Sequence, residues 1–279
     1  MRVRAFAKIN LSLRVVGTSA DGYHELRTVF QSIALHDTLT FQRTRGPFRL
    51  SCSDPACPID DANLVWRAAD LMWRAARRPG TLGGVSVRIT KRIPIGSGLG
   101  GGSSDAAATL RACAALWRAR VTARELKRMA AALGADVPFF LEGGTALGTG
   151  RGDILTRLPD TPPAWVVLAV PSFGVSTKSA YGWWDADHRG EPGSAAAELG
   201  NDLQNPVAAR HPDIARTVAA LASAGASQAA MSGSGSAVFG LFASRAAAER
   251  AARRLGARSR RAIVTRVLNR MRYQALAGL

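Results

Sequence analysis

One run of residues constrains this chain more than any other: Pro94-Ile-Gly-Ser-Gly-Leu-Gly-Gly-Gly-Ser-Ser104. It follows Val85-Ser-Val-Arg-Ile-Thr-Lys-Arg-Ile93, where Val85, Val87 and Ile89 alternate with polar residues as in a half-buried strand. It leads into Asp105–Trp117, where Leu110, Cys113, Ala114 and Trp117 share one helical face. Ser103 or Ser104 suits the N-cap and Asp105 the first turn. Strand, glycine loop and helix start together bring unpaired backbone N–H groups and a positive helix end to one place, which is a phosphate seat. The alternative reading of any such loop is a plain turn.

The motif excludes some phosphate binders. No Lys follows the glycines, so this is not a P-loop. Gly96, Gly98 and Gly101 fit G-x-G-x-x-G, but the segment from Thr122 reads as another helix where a dinucleotide fold needs its second strand. Neither H-R-D nor D-F-G occurs, which excludes the protein-kinase loop.

Before the loop, residues 3 to 15 alternate with period two. Val3, Ala5, Ala7, Ile9, Leu11, Leu13 and Val15 form one face; Arg4, Phe6, Lys8, Asn10, Ser12 and Arg14 form the other, as in a half-buried strand. Asp21-Gly22 marks a turn before Tyr23-His24. Strands are expected over 28–35 and 38–42, then a surface excursion over 43–60. Asn63 should cap a helix reaching Arg77, with Leu64, Ala68, Leu71 and Ala75 inward. Thr122 and Glu125 form a capping box, and Gly134 ends that helix. Asp136 lies between that end and Pro138, which predicts extended backbone.

From Ala164 the pattern changes. A strand over 165–170, a low-complexity insert over 187–199, a helix begun by Pro206, strands over 227–231 and 236–242 around Ser232-Gly-Ser-Gly-Ser236, a helix over 244–255 and a strand over 262–268 give β-α-β-β-α-β. The expectation is a two-domain α+β protein, divided as 1–158 and 159–279.

Composition narrows the function classes. The chain of 279 residues is 47% hydrophobic and 20% charged, with no apolar run long enough to span a membrane and no signal-like apolar block at its start, so a cytoplasmic protein is expected. Cys52, Cys57 and Cys113 fit neither a disulfide framework nor zinc spacing and are expected as free thiols. The net charge of +17 raises RNA as a partner. The basic residues are spread along the chain without interleaved aromatics, so no nucleic acid is expected.

Five separated segments resemble the GHMP kinases, in that family's order: Ala7-Lys-Ile-Asn-Leu-Ser-Leu13, the glycine loop with its Pro-x-x-x-Gly-Leu-x-x-x-Ser-Ser pattern, Gly134-Ala-Asp-Val-Pro-Phe-Phe140, Asn201-Asp-Leu-Gln-Asn-Pro206 and Met231-Ser-Gly-Ser-Gly-Ser236. The stretch Asp21-Gly-Tyr-His-Glu25 is similar to the branch of the family whose substrate is a cytidyl diphosphate alcohol. The resemblance implies an N-terminal mixed sheet with helices and a ferredoxin-like C-terminal domain. It implies ATP as co-substrate, with Mg2+ and no protein metal ligand identified. It places Lys8 and Asp136 at the reaction centre, with Asp136 as general base and Lys8 stabilising charge. ATP would be held by Pro94, Ile95, Gly96, Ser97, Gly98, Leu99, Gly100, Gly101, Gly102, Ser103 and Ser104. The cytidyl substrate would be held by Asn10, Tyr23, His24, Thr177 and Tyr181, the two Tyr rings offering stacking faces. Asp153 stands where the family usually carries Glu. A mevalonate- or homoserine-type kinase is the alternative within the family, and the chain could form oligomers.

Overall fold

The structure is a computed structural model that describes residues 1–18, 22–188, 200–256 and 261–278. The chain opens with two long antiparallel strands, β1 (Arg2–Thr18) and β2 (His24–Pro47), which pair over most of their length. β3 (Arg49–Cys52) follows, then helix α1 (Leu64–Ala75), β4 (Gly83–Thr90) and helix α2 (Gly101–Trp117). Helices α3 (Ala123–Leu133) and α4 (Phe139–Glu142) lead to a hairpin of β5 (Thr145–Thr149) and β6 (Ile154–Arg157). The second half runs β7 (Trp165–Val170), α5 (Thr177–His188), β8 (Gly200–Asn201), α6 (Gln204–Arg210), α7 (Asp213–Ser223), β9 (Gln228–Met231), β10 (Val238–Phe242), α8 (Arg245–Gly256), β11 (Arg261–Arg266) and α9 (Arg270–Ala277).

The first sheet has seven strands, in the order β3-β4-β2-β1-β8, with β5 also on β2 and β6 on β5. The second is antiparallel, β11-β7-β10-β9, the strand order of a ferredoxin-like unit. The expected α+β architecture is therefore present. β8 crosses from the second half to lie parallel to β1.

β1 is buried on both faces, not one, and it feeds four cores, the smallest through Phe6, which packs with Leu268 and Tyr273. Val3 and Ala5 join the core under α1 and α2; Leu13 and Val15 join that of the second sheet; Ala7, Ile9 and Leu11 pack with Leu99, Val166 and Phe239 between the two. Bulges at Phe6/Lys8 and Asn10/Ser12 re-aim the strand as it passes from one core to the next. In consequence Lys8, Asn10 and Ser12, which alternation alone puts on a wet face, are buried.

Other expectations shift. The strands expected over 28–35 and 38–42 are one strand. The excursion over 43–60 contributes β3, with Phe48 and Leu50 in the core. Asn63 caps α1 by accepting from Val65 N, but the inward face is Val65, Ala68, Ala69, Met72 and Trp73, because both α2 and α3 pack on it. Burying each large apolar side chain there contributes about 1.5–3 kcal/mol. The Thr122–Glu125 capping box and its Gly134 stop are formed. Residues 135–138 form a turn, with Val137 N bonded to Gly134 O, so Asp136 is not extended: the restriction before a proline falls on Val137. Pro206 sits inside the first turn of α6, which Gln204 begins. Ala20, Asp21 and residues 189–199 of the low-complexity insert lie outside the described residues.

The strand predicted over 262–268 is β11, ending at Arg266, and it is followed by α9, an element without a strong sequence signal. It brings the chain back to the first half, where Leu268 N donates to Ser32 O and Tyr273 Oη to Phe140 O. No described helix is long and apolar enough to cross a membrane. Cys52, Cys57 and Cys113 are free thiols.

Candidate active site

A cavity of about 990 Å3 opens between the two sheets, lined by β1, the glycine loop, the turn after α3, the start of α5 and the β9–β10 connection. Its phosphate end is built by backbone. Gly98 has φ 75°, and a Cβ there would lie 2.1 Å from Ser232 O. Gly100 has φ 73°, and a Cβ there would lie 2.6 Å from the Phe140 ring. Only glycine fits either position. The loop is tied to both halves: Lys8 N donates to Leu99 O, Ala237 N to Ser97 O and Ser232 Oγ to Gly98 O. The serine-rich β9–β10 connection thus packs against the loop.

Gly100, in the left-handed region, takes the N-cap of α2, and no side chain caps the helix. The serine cap expected from Ser103 or Ser104 is absent for a physical reason. A capping side chain would consume the N–H groups at the helix start, whereas a glycine leaves them to the cavity. Pro94 to Ser103 line the cavity. Ser104 does not: it is buried behind the seat, and its hydroxyl donates to Phe6 O at 2.7 Å.

Lys8 and Asp136 meet beside this seat. Lys8 Nζ stands 3.3 Å from Asp136 Oδ2, with side-chain exposures of 4% and 34%. The ammonium also donates to Asn10 Oδ1 at 2.6 Å. Asn10 is held in turn, its Nδ2 donating to Thr28 Oγ1, which donates to Ser12 O. Asn10 therefore orients Lys8 directly. The result is a fixed buried cation against a carboxylate that is open to the cavity. Lys8 comes from the start of the chain and Asp136 from the turn that follows Gly134.

The other end of the cavity is made of side chains. Tyr23 is 56% exposed, with the Arg151 guanidinium 3.6 Å from its ring centre. His24 stacks on Tyr181 at 4.6 Å, meets Trp184 edge-on and places Nε2 2.7 Å from Asp185 Oδ1. Burial, with a smaller contribution from the Asp136 charge, raises the pKa of the Tyr181 phenol, so it remains a neutral hydroxyl. Thr177, the first residue of α5, shares a hydrogen bond with Ser234. The two tyrosine rings thus line one cavity, but their faces are in use, Tyr23's by Arg151 and Tyr181's by His24. Arg151, Trp184 and Asp185 were missed in the sequence. The last two follow Tyr181 at helical spacings of three and four, a signal readable once α5 is known to be a helix.

A second buried lysine, Lys91, borders the seat, its Nζ 2.6 Å from Asp37 Oδ2 and 2.8 Å from Asp105 Oδ2. Burial opposes its charge, but the two carboxylates outweigh that and raise its pKa. No cluster of three or more His, Cys, Asp or Glu suited to a metal ion occurs among the described residues.

This combination of an open helix start, a glycine cradle and a lysine–aspartate pair suits transfer of a phosphoryl group to an alcohol. Residues 63–144 match the family model described as GHMP kinases N terminal domain, and residues 187–260 that described as GHMP kinases C terminal. The 4-diphosphocytidyl-2-C-methyl-D-erythritol kinase of Moorella thermoacetica is 45% identical over 284 aligned residues, covering 95% of this chain and 98% of the relative. The kinase of the same name from Heliobacterium modesticaldum is 39% identical over 306 aligned residues, covering 97% and 96%. A crystal structure of 4-(cytidine 5'-diphospho)-2C-methyl-D-erythritol kinase matches with TM-score 0.80 and 36% identity, covering 96% of this chain and 99% of that one. A mevalonate kinase crystal structure matches at TM-score 0.71 but 14% identity over 96% and 99%, a likeness of fold alone. Agreement at that level along nearly the whole length means that the chain belongs to the 4-diphosphocytidyl-2-C-methyl-D-erythritol kinase family of the GHMP kinases.

Proposed function

We propose that this chain transfers the γ-phosphoryl group of ATP to the 2-hydroxyl of 4-diphosphocytidyl-2-C-methyl-D-erythritol, a step of the non-mevalonate route to isoprenoid precursors. The observation that carries the reading is the Lys8–Asp136 pair, 3.3 Å apart at the edge of a glycine seat. The open N–H groups at the start of α2 receive the phosphates, and the helix end adds positive potential. Asp136, open to the cavity, takes the proton of the attacking hydroxyl as its oxygen bonds to the γ-phosphorus and the bond to the β-phosphate oxygen breaks. Lys8, held by Asn10, faces the charge that spreads over the transferring group. Mg2+ would enter with the ATP phosphates and offset their charge.

Pro94 to Ser103 are the residues we assign to ATP. Tyr23, His24, Thr177 and Tyr181 we assign to the cytidyl end, where the base would displace Arg151 or His24 from a ring face. We take 1–158 as the nucleotide-binding half and 159–279 as the second half. Two small polar substrates suit a cytoplasmic enzyme.

An ATP-to-ADP assay with the cytidyl alcohol, with mevalonate, with homoserine and with no acceptor tests the reading. Turnover is expected with the cytidyl alcohol alone. Equal turnover with mevalonate or homoserine would move the chain to another branch of GHMP chemistry.

A further inference from the structure

We infer that Asp105 is a neutral positioning acid at the edge of the phosphate seat: it holds Lys91 beside the start of α2 without adding a negative charge there, and its ionisation weakens nucleotide binding. The inference rests on the nucleotide reading of the seat.

Asp37, Lys91 and Asp105 are buried together, so two carboxylates share one ammonium. The two acids are not equivalent. Asp37 accepts from Lys91 on one oxygen and from Arg92 N and Ile93 N on the other, the latter at 2.8 Å. All its donors come from the segment that leads into the loop, and they suit a carboxylate. Asp105 accepts from Lys91 on Oδ2, and its Oδ1 is buried with no hydrogen-bond partner. An ionised carboxylate buried with one oxygen bare is costly. A proton on Asp105, hydrogen-bonded to the Asp37 side chain, makes the three-residue cluster electrically neutral. The electrostatics agree: burial drives the Asp105 pKa up to about 7, outweighing the attraction of Lys91, and the Asp37 charge adds to the rise. Cys57 is the further titratable group bearing on Asp105, and burial first, then Cys52, push its thiol up to about 12, so it stays neutral.

Position gives the proton a consequence. Asp105 stands one turn into α2, and Lys91 Nζ lies 3.1 Å from where a Cβ on Gly101 would be. An anion there competes with a triphosphate for the same positive helix end. Arrival of the triphosphate should therefore draw a proton onto Asp105, and rising pH should loosen the nucleotide.

The test is calorimetry of ATP binding to wild type, Asp105→Asn and Asp37→Asn, at pH 6 to 9 and in buffers of different protonation enthalpy. Wild type is expected to take up protons near pH 8 and to lose about tenfold in affinity between pH 6 and 8. Subtracting Asp105→Asn removes the protonation of ATP itself: that variant should show less proton uptake, a flatter profile and tighter binding than wild type at pH 8. Asp37→Asn, which strips the acid that has the donors, should weaken binding at every pH. Thermal melts without nucleotide give a second measurement. A folded-state pKa raised above the unfolded value gives stability that is lost as pH rises through about 7, so Asp105→Asn should gain in Tm over wild type from pH 5 to 8. Identical proton uptake in wild type and Asp105→Asn, or equal harm from both substitutions, would overturn the inference. If wild type bound no nucleotide at all, the proposed function would fall with it.

Discussion

The two ends of the cavity are built from opposite materials. At the phosphate end the groups that face the ligand are mostly backbone, held by two backbone hydrogen bonds and the Ser232 hydroxyl. Gly98 and Gly100 let the loop close against Ser232 and Phe140, and three hydrogen bonds tie it to β1 and to the β9–β10 connection. At the aromatic end the groups are side chains, partly exposed, with their faces already against Arg151 and His24. The difference matches what each end must do. A triphosphate is recognised by charge and by fixed N–H directions, which lose strength when they move. A base is recognised by faces and edges, and these can exchange one flat partner for another.

The same contrast separates the two buried lysines. Lys91 also borders the cavity, but its ammonium is held between two buried carboxylates. Lys8 has one half-open carboxylate and a neutral amide, and it faces the ligand side. Its charge is the less committed of the two, as a charge that must respond to a transferring phosphoryl group should be.

Substitutions can break this comparison. Lys8→Met should have the largest effect, lowering kcat by about 10²- to 10⁴-fold while the protein still binds ATP, as read by steady-state turnover beside nucleotide titration. Gly98→Ala comes next. Its Cβ would meet Ser232 O at 2.1 Å in a left-handed backbone, so the loop must move, and the KM for ATP should rise by about tenfold or more with a lower Tm. Unchanged ATP binding in Gly98→Ala would mean that the phosphate end is as adaptable as the aromatic one. Tyr23→Ala and His24→Ala should raise the KM for the cytidyl alcohol by about tenfold, the cost of one lost aromatic contact, with the KM for ATP unchanged. A matched rise in both KM values would erase the distinction between the ends.

Local chemistry carried part of this into the sequence. A glycine loop between strand and helix signals a phosphate seat because each part acts over a few residues, and the Asn63 cap and Thr122–Glu125 box are legible for the same reason. Lys8 and Asp136 were reached through family resemblance, since their separation in sequence hides their contact. What stayed hidden depends on distant partners. Ser104 looks like a cap until Phe6 supplies a buried carbonyl for it. Asp105 looks like a helix-start acid until Asp37 arrives from β2 and Lys91 from the segment after β4. Alternation in β1 looks half-wet until the glycine loop and the β9–β10 connection close over the face with Lys8 and Asn10. The return of α9 to the first half rests on backbone bonds to Ser32 and a Tyr273 hydroxyl, none of which leaves a periodic trace.

The central claim is that Asp136 removes the proton of the acceptor hydroxyl beside the nucleotide seat. Single-turnover phosphoryl transfer by Asp136→Asn, with ATP binding measured on the same preparation, tests it most directly. The account predicts transfer slowed by about 10²-fold or more with ATP affinity within about twofold of wild type. Transfer at the wild-type rate would contradict it.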